Sequence, residues 1–136
     1  MGSFKIVPNM PKVEVIEEIK SRVTELELFV DTKKDHIMSI ADTKIYFNRV
    51  LDFRVSGEEG FFGRSFSNQE ILENGKFYEI ENSEYIKYYL SMDPAAEAIY
   101  TKLTHYLLLD KIGNYGIDIL FDKNEFNKNN PSVSQI

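Results

Sequence analysis

The stretch THYLLLDKIGNYGIDILFD, residues 104–122, decides the fold. Two apolar runs flank a polar, glycine-containing break, a pattern typical of two β-strands joined by a turn. We therefore predict a closing hairpin with strands over 105–110 and 117–122. Because each run is apolar at successive positions, both faces of the hairpin should be buried. The hairpin should then lie centrally in its sheet.

The composition of the chain fits one globular domain. Its 136 residues are 43% hydrophobic and 28% charged, close to globular averages. We predict a single domain over 1–136, with an ordered core over about 13–126 and frayed ends. The ten Phe and eight Tyr favour strands. The chain has no cysteine, which excludes disulfides, thiolate metal sites and cysteine nucleophiles.

Charge and hydropathy restrict the partners. The N-terminus lacks the pattern of a signal peptide, and no apolar run reaches the roughly 18 residues that span a bilayer. We therefore expect a cytoplasmic protein without a membrane partner. The net charge of −6 disfavours nucleic acid, because binding there depends on neutralising phosphates. The same charge is compatible with a basic protein partner.

The first half of the chain is predicted to be mainly strands. Apolar residues within 13–23 recur at helical spacing, but others alternate, so helix and strand both remain possible there. We favour two strands, over 13–20 and 24–31, and a third over 36–41. A bulge near Asn48–Arg49 would reconcile the two halves of the next strand stretch.

Residues 82–93 show the pattern of a helix. Asn82 or Ser83 can serve as its N-cap. Its apolar face would contain Ile86, Tyr89 and Leu90. A second helix would begin at Asp93, with Pro94 at its first helical position. The predicted fold is therefore α+β: a curved, mostly antiparallel sheet with one or two helices inserted before a C-terminal β-hairpin.

His105 is the first candidate for chemistry. In a strand it shares a face with Leu107 and Leu109. General base catalysis needs a nucleophile or an orienting carboxylate within hydrogen-bond reach. Two nearby acids in sequence, Asp110 and Asp122, are not specifically spaced for this role. We interpret His105 as a structural residue and predict no catalytic residue in the chain.

The other histidine, His36, lies in a polar turn beside Asp31 and Asp35. No second group has a recognised metal-ligand spacing, so we predict neither a metal site nor a cofactor. The sequence also lacks a serine elbow, a zinc helix, the kinase motifs and a dinucleotide fingerprint. The absence of these motifs lowers the odds of an enzyme.

The loop SGEEGFFGRSF, residues 56–66, is the strongest candidate for an interface. Aromatic side chains inside a charged rim are typical of the centre of a protein interface. The candidate partner-binding residues are Glu58, Glu59, Phe61, Phe62 and Arg64. The alternative, in which the two phenylalanines pack the loop onto the core, remains open.

Three segments, KIYFNRVLDFRVSGEE, FYEIENSEYIKYYL and HYLLLDKIGNYGIDILFD, together resemble small uncharacterised bacterial proteins of the polymorphic-toxin immunity type. The resemblance covers about residues 13–126 and transfers no catalytic residue. It implies a non-catalytic α+β domain that binds a protein partner, such as a basic toxin, stoichiometrically. One alternative is a small hydrolase or ligand-binding enzyme that uses His105 and Tyr106 with an acid such as Asp122. Another is a homo-oligomeric structural module.

Overall fold

A computed structural model describes residues 3–33, 40–57, 73–112, 115–123 and 129–136. The strands in these ranges are β1 Ser3–Ile6, β2 Val15–Arg22, β3 Glu25–Asp31, β4 Thr43–Phe47, β5 Val50–Gly57, β6 Phe77–Glu81, β7 Leu103–Leu109, β8 Tyr115–Asp122 and β9 Ser132–Gln135. The helices are α1 Glu84–Met92 and α2 Ala96–Ile99. No helix in these ranges is long and apolar enough to cross a membrane.

The strands form two antiparallel sheets. One has the order β1-β6-β7-β8-β5 and the other the order β2-β3-β4-β9. Both helices precede the β7–β8 hairpin, which lies in the interior of the larger sheet. The predicted α+β fold, with antiparallel strands and helices inserted before a hairpin, is confirmed. The sequence suggested one curved sheet, whereas the structure divides the strands between two.

The hydrophobic core lies between the two sheets. The smaller sheet and the segment before it contribute Val13, Ile16, Leu26, Leu28, Val30, Ile45 and Phe47. The larger sheet contributes Val50, Phe77, Tyr106, Leu108, Ile117, Ile119 and Phe121. The rings of Phe47, Tyr106 and Phe121 meet edge to face with centroids 4.9–6.2 Å apart. The β7–β8 hairpin is buried on both faces, because Leu107 and Leu120 point away from this core and are also buried.

The chain passes from one sheet to the other between β4 and β5. Arg49 lies at this point with a φ of 53°, and its guanidinium donates two hydrogen bonds of 2.9 and 3.1 Å to the fully buried Asp122. The prediction of one continuous strand with a bulge near Asn48–Arg49 is therefore wrong, because β4 and β5 are separate strands in different sheets. An irregularity in strand pairing does occur within β5, between Val50 and Asp52.

Residues 15–22 are a strand, as favoured for 13–20, which decides between the two possibilities for 13–23. Other segments differ from their predictions. Both termini contribute strands, since β1 pairs with β6 and β9 pairs with β4, although the sequence placed them outside the ordered core. The second helix begins after Ala95 and not at Asp93, which is instead the C-cap of α1. Of the predicted strand 36–41, only residues 40–41 are described, and they are not in a strand.

Candidate functional site

A cluster of buried polar side chains lies on the face of the larger sheet that points away from the core. β7 places His105 there, and β8 places Asp118 beside it. Helix α1 packs over β7 on this side and supplies Ser83 and Tyr85 from its first turn. We refer to Ser83, Tyr85, His105 and Asp118, together with Asp52 of β5, as the polar cluster.

His105 is hydrogen-bonded at both ring nitrogens. Its Nδ1 lies 2.7 Å from the Ser83 Oγ, and its Nε2 lies 2.7 Å from the Asp118 Oδ1. Ser83 is the N-cap of α1, and its Oγ also accepts the Ile86 N–H at 3.2 Å. A neutral imidazole with its proton on Nε2 would donate to the carboxylate and accept from the serine hydroxyl at Nδ1, which satisfies both ring nitrogens.

Ser–His–Asp hydrolases also join a serine, a histidine and an acid in this order, but there Nε2 faces the serine and Nδ1 the acid, the reverse of the arrangement here. The surroundings differ from those of an accessible nucleophile. Ser83 is 3% exposed, His105 4% and Asp118 0%, and the serine oxygen is already an acceptor for a helix N–H. The bonds join the start of α1 to β7 and β8, so they stabilise the position of the helix on the sheet.

Tyr85 extends the cluster toward β5. Its ring meets the His105 ring edge to face at 5.2 Å, and its hydroxyl donates to the Asp52 carboxylate. The Arg54 guanidinium lies over the same ring, 4.0 Å from the centroid. Burial, followed by the hydrogen bond and the charge of Asp52, raises the pKa of Tyr85. The tyrosine is therefore a neutral donor that holds α1 against β5.

The groups suggested for a hydrolase do not converge. Tyr106 points to the opposite face of the sheet from His105, into the core, and its hydroxyl accepts from the Lys123 ammonium at 3.0 Å. Asp122 is held by Arg49 and accepts the Lys102 N–H at 2.9 Å. The carboxylate that does reach His105 is Asp118, which the sequence analysis missed. The acids named there, Asp110 and Asp122, lie at the ends of the apolar runs, whereas Asp118 interrupts the second run from within.

The predicted partner-binding residues Glu58, Glu59, Phe61, Phe62 and Arg64 lie outside the described residues, and so does His36. Their roles therefore remain predictions. Among the residues that the structure describes, no group of three or more His, Asp or Glu side chains could hold a metal ion.

A cleft of about 410 Å³ opens beside the polar cluster, between α1 and β5. Its lining includes Asp52, Tyr85, Tyr88, Tyr89, Met92 and Asp93. Tyr88 and Met92 are 64% and 70% exposed. The four helical side chains follow the spacing i, i+3, i+4, i+7, which places them along one side of α1. This stripe was the available signal in the sequence, whereas the predicted apolar face contained Ile86, Tyr89 and Leu90. The structure leaves those three only half-buried.

Comparison of the chain with family models, with curated proteins and with solved structures gives no match. The resemblance to immunity-type proteins stays a prediction from the three sequence segments quoted above.

Proposed function

We propose that this chain is a stoichiometric protein-binding domain of the immunity type, which acts in the bacterial cytoplasm by blocking a basic toxin. One observation carries the proposal: the polar cluster bonds the first turn of α1 to the larger sheet, and the helix presents an aromatic surface to solvent. Tyr88 and Met92 dominate that exposed surface.

The buried cluster supports binding because it preorganises the helix. The Ser83 hydroxyl bonds both His105 and the Ile86 N–H, so the first turn of α1 is tied to β7. Tyr85 ties the same turn to β5 through Asp52. A recognition helix that is already held in place loses little conformational entropy when a partner binds.

The net charge of the chain favours a basic partner. The chain carries a net charge of −6, and a negative surface speeds encounter with a positive protein. The predicted residues Glu58, Glu59, Phe61, Phe62 and Arg64 follow β5 in sequence, and we include them in the proposed interface. Aromatic anchors within a charged rim are the usual centre of binding energy.

The test is a binding measurement on the protein partner recovered from the source cells with the tagged chain. Sedimentation velocity should give a 1:1 complex that survives dilution. Tyr88→Ala should weaken the complex by roughly tenfold or more, with a change in unfolding free energy within about 0.5 kcal/mol because the side chain is exposed. Val133→Ala, at an exposed position on the opposite sheet, is the matched control and should bind like the wild type. Failure to recover a stoichiometric partner, or equal binding by both variants, would contradict the proposal.

A Ser–His–Asp hydrolase is the second candidate, favoured by the two 2.7 Å contacts of His105. It requires α1 to move, since Ser83 is 3% exposed. Under this alternative, Ser83→Ala would abolish turnover of an ester substrate. Under the proposed binding function, wild type and Ser83→Ala should show the same background hydrolysis, because neither presents a nucleophile.

A further inference from the structure

We infer that the cleft between α1 and β5 binds an arginine side chain of a basic protein partner. The nature of the partner rests on the proposed function, but the chemistry of the cleft is argued from its own walls. These walls combine tyrosine rings, a methionine and two carboxylates.

The aromatic wall comes from one side of α1. Tyr85, Tyr88 and Tyr89 lie at the spacing i, i+3, i+4, and Met92 extends the row by one turn. Tyrosine rings attract cations through their negative faces, and the methionine thioether adapts to the shape of the bound group. The wall therefore suits a flat, weakly hydrated cation better than an anion.

The acidic wall comes from two different elements. Asp52 lies on β5, and Asp93 lies at the C-terminus of α1, where the helix dipole also favours a cation. Neither carboxylate is in an ion pair within the part of the chain that the structure describes. The pKa of Tyr89 is raised, first by burial and then by Tyr100 and these two aspartates. The cleft therefore carries two carboxylates that no described ion pair neutralises, with the Arg54 guanidinium lying over the Tyr85 ring at its edge.

The geometry favours guanidinium over ammonium. Arg54 lies over the Tyr85 ring at 4.0 Å, so the protein already shows this mode of stacking beside the cleft. The Tyr85 hydroxyl bonds only one oxygen of Asp52, which leaves the other as an acceptor. A guanidinium can stack on tyrosine and donate to a carboxylate at the same time, whereas an ammonium acts as a point charge. A second copy of this acidic chain is the less suitable occupant because like charges repel.

The probe for the test is N-acetyl-L-arginine amide, titrated into the full-length protein and followed by backbone amide chemical shifts. Saturable shifts should be concentrated in residues 84–93 and on β5. The neutral citrulline analogue should give none, and the corresponding lysine amide should bind at least about fivefold more weakly. Asp52→Asn and Tyr88→Ala should each weaken arginine binding by roughly fivefold or more. The Asp52→Asn variant retains a carbonyl that can accept the Tyr85 hydroxyl, so it should stay folded.

Glu18→Gln is the matched control, because this exposed carboxylate lies on the opposite sheet; it should bind the probe like the wild type. Equal shifts from arginine and citrulline, or shifts outside the cleft, would overturn the inference. Equal affinity for lysine would overturn the choice of guanidinium. If a protein partner binds 1:1 and Asp52→Asn leaves its affinity unchanged, the cleft assignment fails while the proposed function stands. If arginine binds as expected but no protein partner exists, the cleft stands and the proposed function fails.

Discussion

Replacing Ser83 with alanine removes one oxygen that makes two different bonds. The first is the N-cap bond to the Ile86 N–H at 3.2 Å, and loss of such a cap costs about 0.5–2 kcal/mol. The second is the 2.7 Å contact with the His105 Nδ1. Leaving a buried acceptor without a donor costs about 1–3 kcal/mol. Together the losses predict that Ser83→Ala lowers the free energy of unfolding by about 1.5–5 kcal/mol.

The assay is urea unfolding followed by far-UV circular dichroism and tyrosine fluorescence, since the chain has eight Tyr and no Trp. Ser91→Ala is a control in the same helix: its exposed hydroxyl donates to the Tyr88 carbonyl, and its loss should change stability by no more than about 0.5 kcal/mol. If Ser83→Ala matched this control, the bonds beneath α1 would not support the helix and the reasoning would be refuted.

Three further changes test other parts of the fold. Leu108→Asp places a charge in the centre of the core, where the side chain is fully buried, and should cost about 3 kcal/mol or more; an unshifted thermal melt would show that β7 is misplaced. Although burial opposes ionisation of Asp42, hydrogen bonds from Thr43 and Thr32 lower its pKa below the reference value of 3.8. Its contribution to stability is therefore complete above that value and is lost as the pH falls through the lowered pKa. Asp42→Asn should accordingly flatten this acid limb in denaturant melts, and an unchanged limb would contradict the assignment. Val23 has a φ of 48° in the two-residue turn between β2 and β3, so Val23→Gly should raise stability by about 1 kcal/mol, whereas a loss of stability would show that the turn is not strained.

Local patterns in the sequence were sufficient to predict much of this fold. The apolar runs around the 111–116 break specify the β7–β8 hairpin because burial on both faces requires apolar residues at successive positions. Ser83 was one of two candidates for the N-cap of α1, since a serine oxygen can satisfy a free helix N–H. These features depend on residues that are close together in the chain.

The polar cluster depends on strand register, which the sequence does not show. Leu109 pairs with Gly116, so His105 lies opposite Leu120 and Leu107 lies opposite Asp118. His105 and Asp118 are therefore diagonal neighbours on one face, and one residue more or less in the turn would separate them. The passage between sheets at Arg49 was missed for a similar reason, because its positive φ is stabilised by a bond to the distant Asp122.

The most direct test of the account is the intact mass of the folded protein after prolonged exposure to a fluorophosphonate, which labels activated serine hydroxyls. Ser83 is a buried helix cap and, under the proposed function, not a nucleophile, so the mass should remain that of the unmodified chain, as it should for Ser83→Ala. A stoichiometric adduct on the wild-type protein that disappears in both Ser83→Ala and His105→Ala would contradict it. Such a result would identify the Ser83–His105–Asp118 chain as an active site.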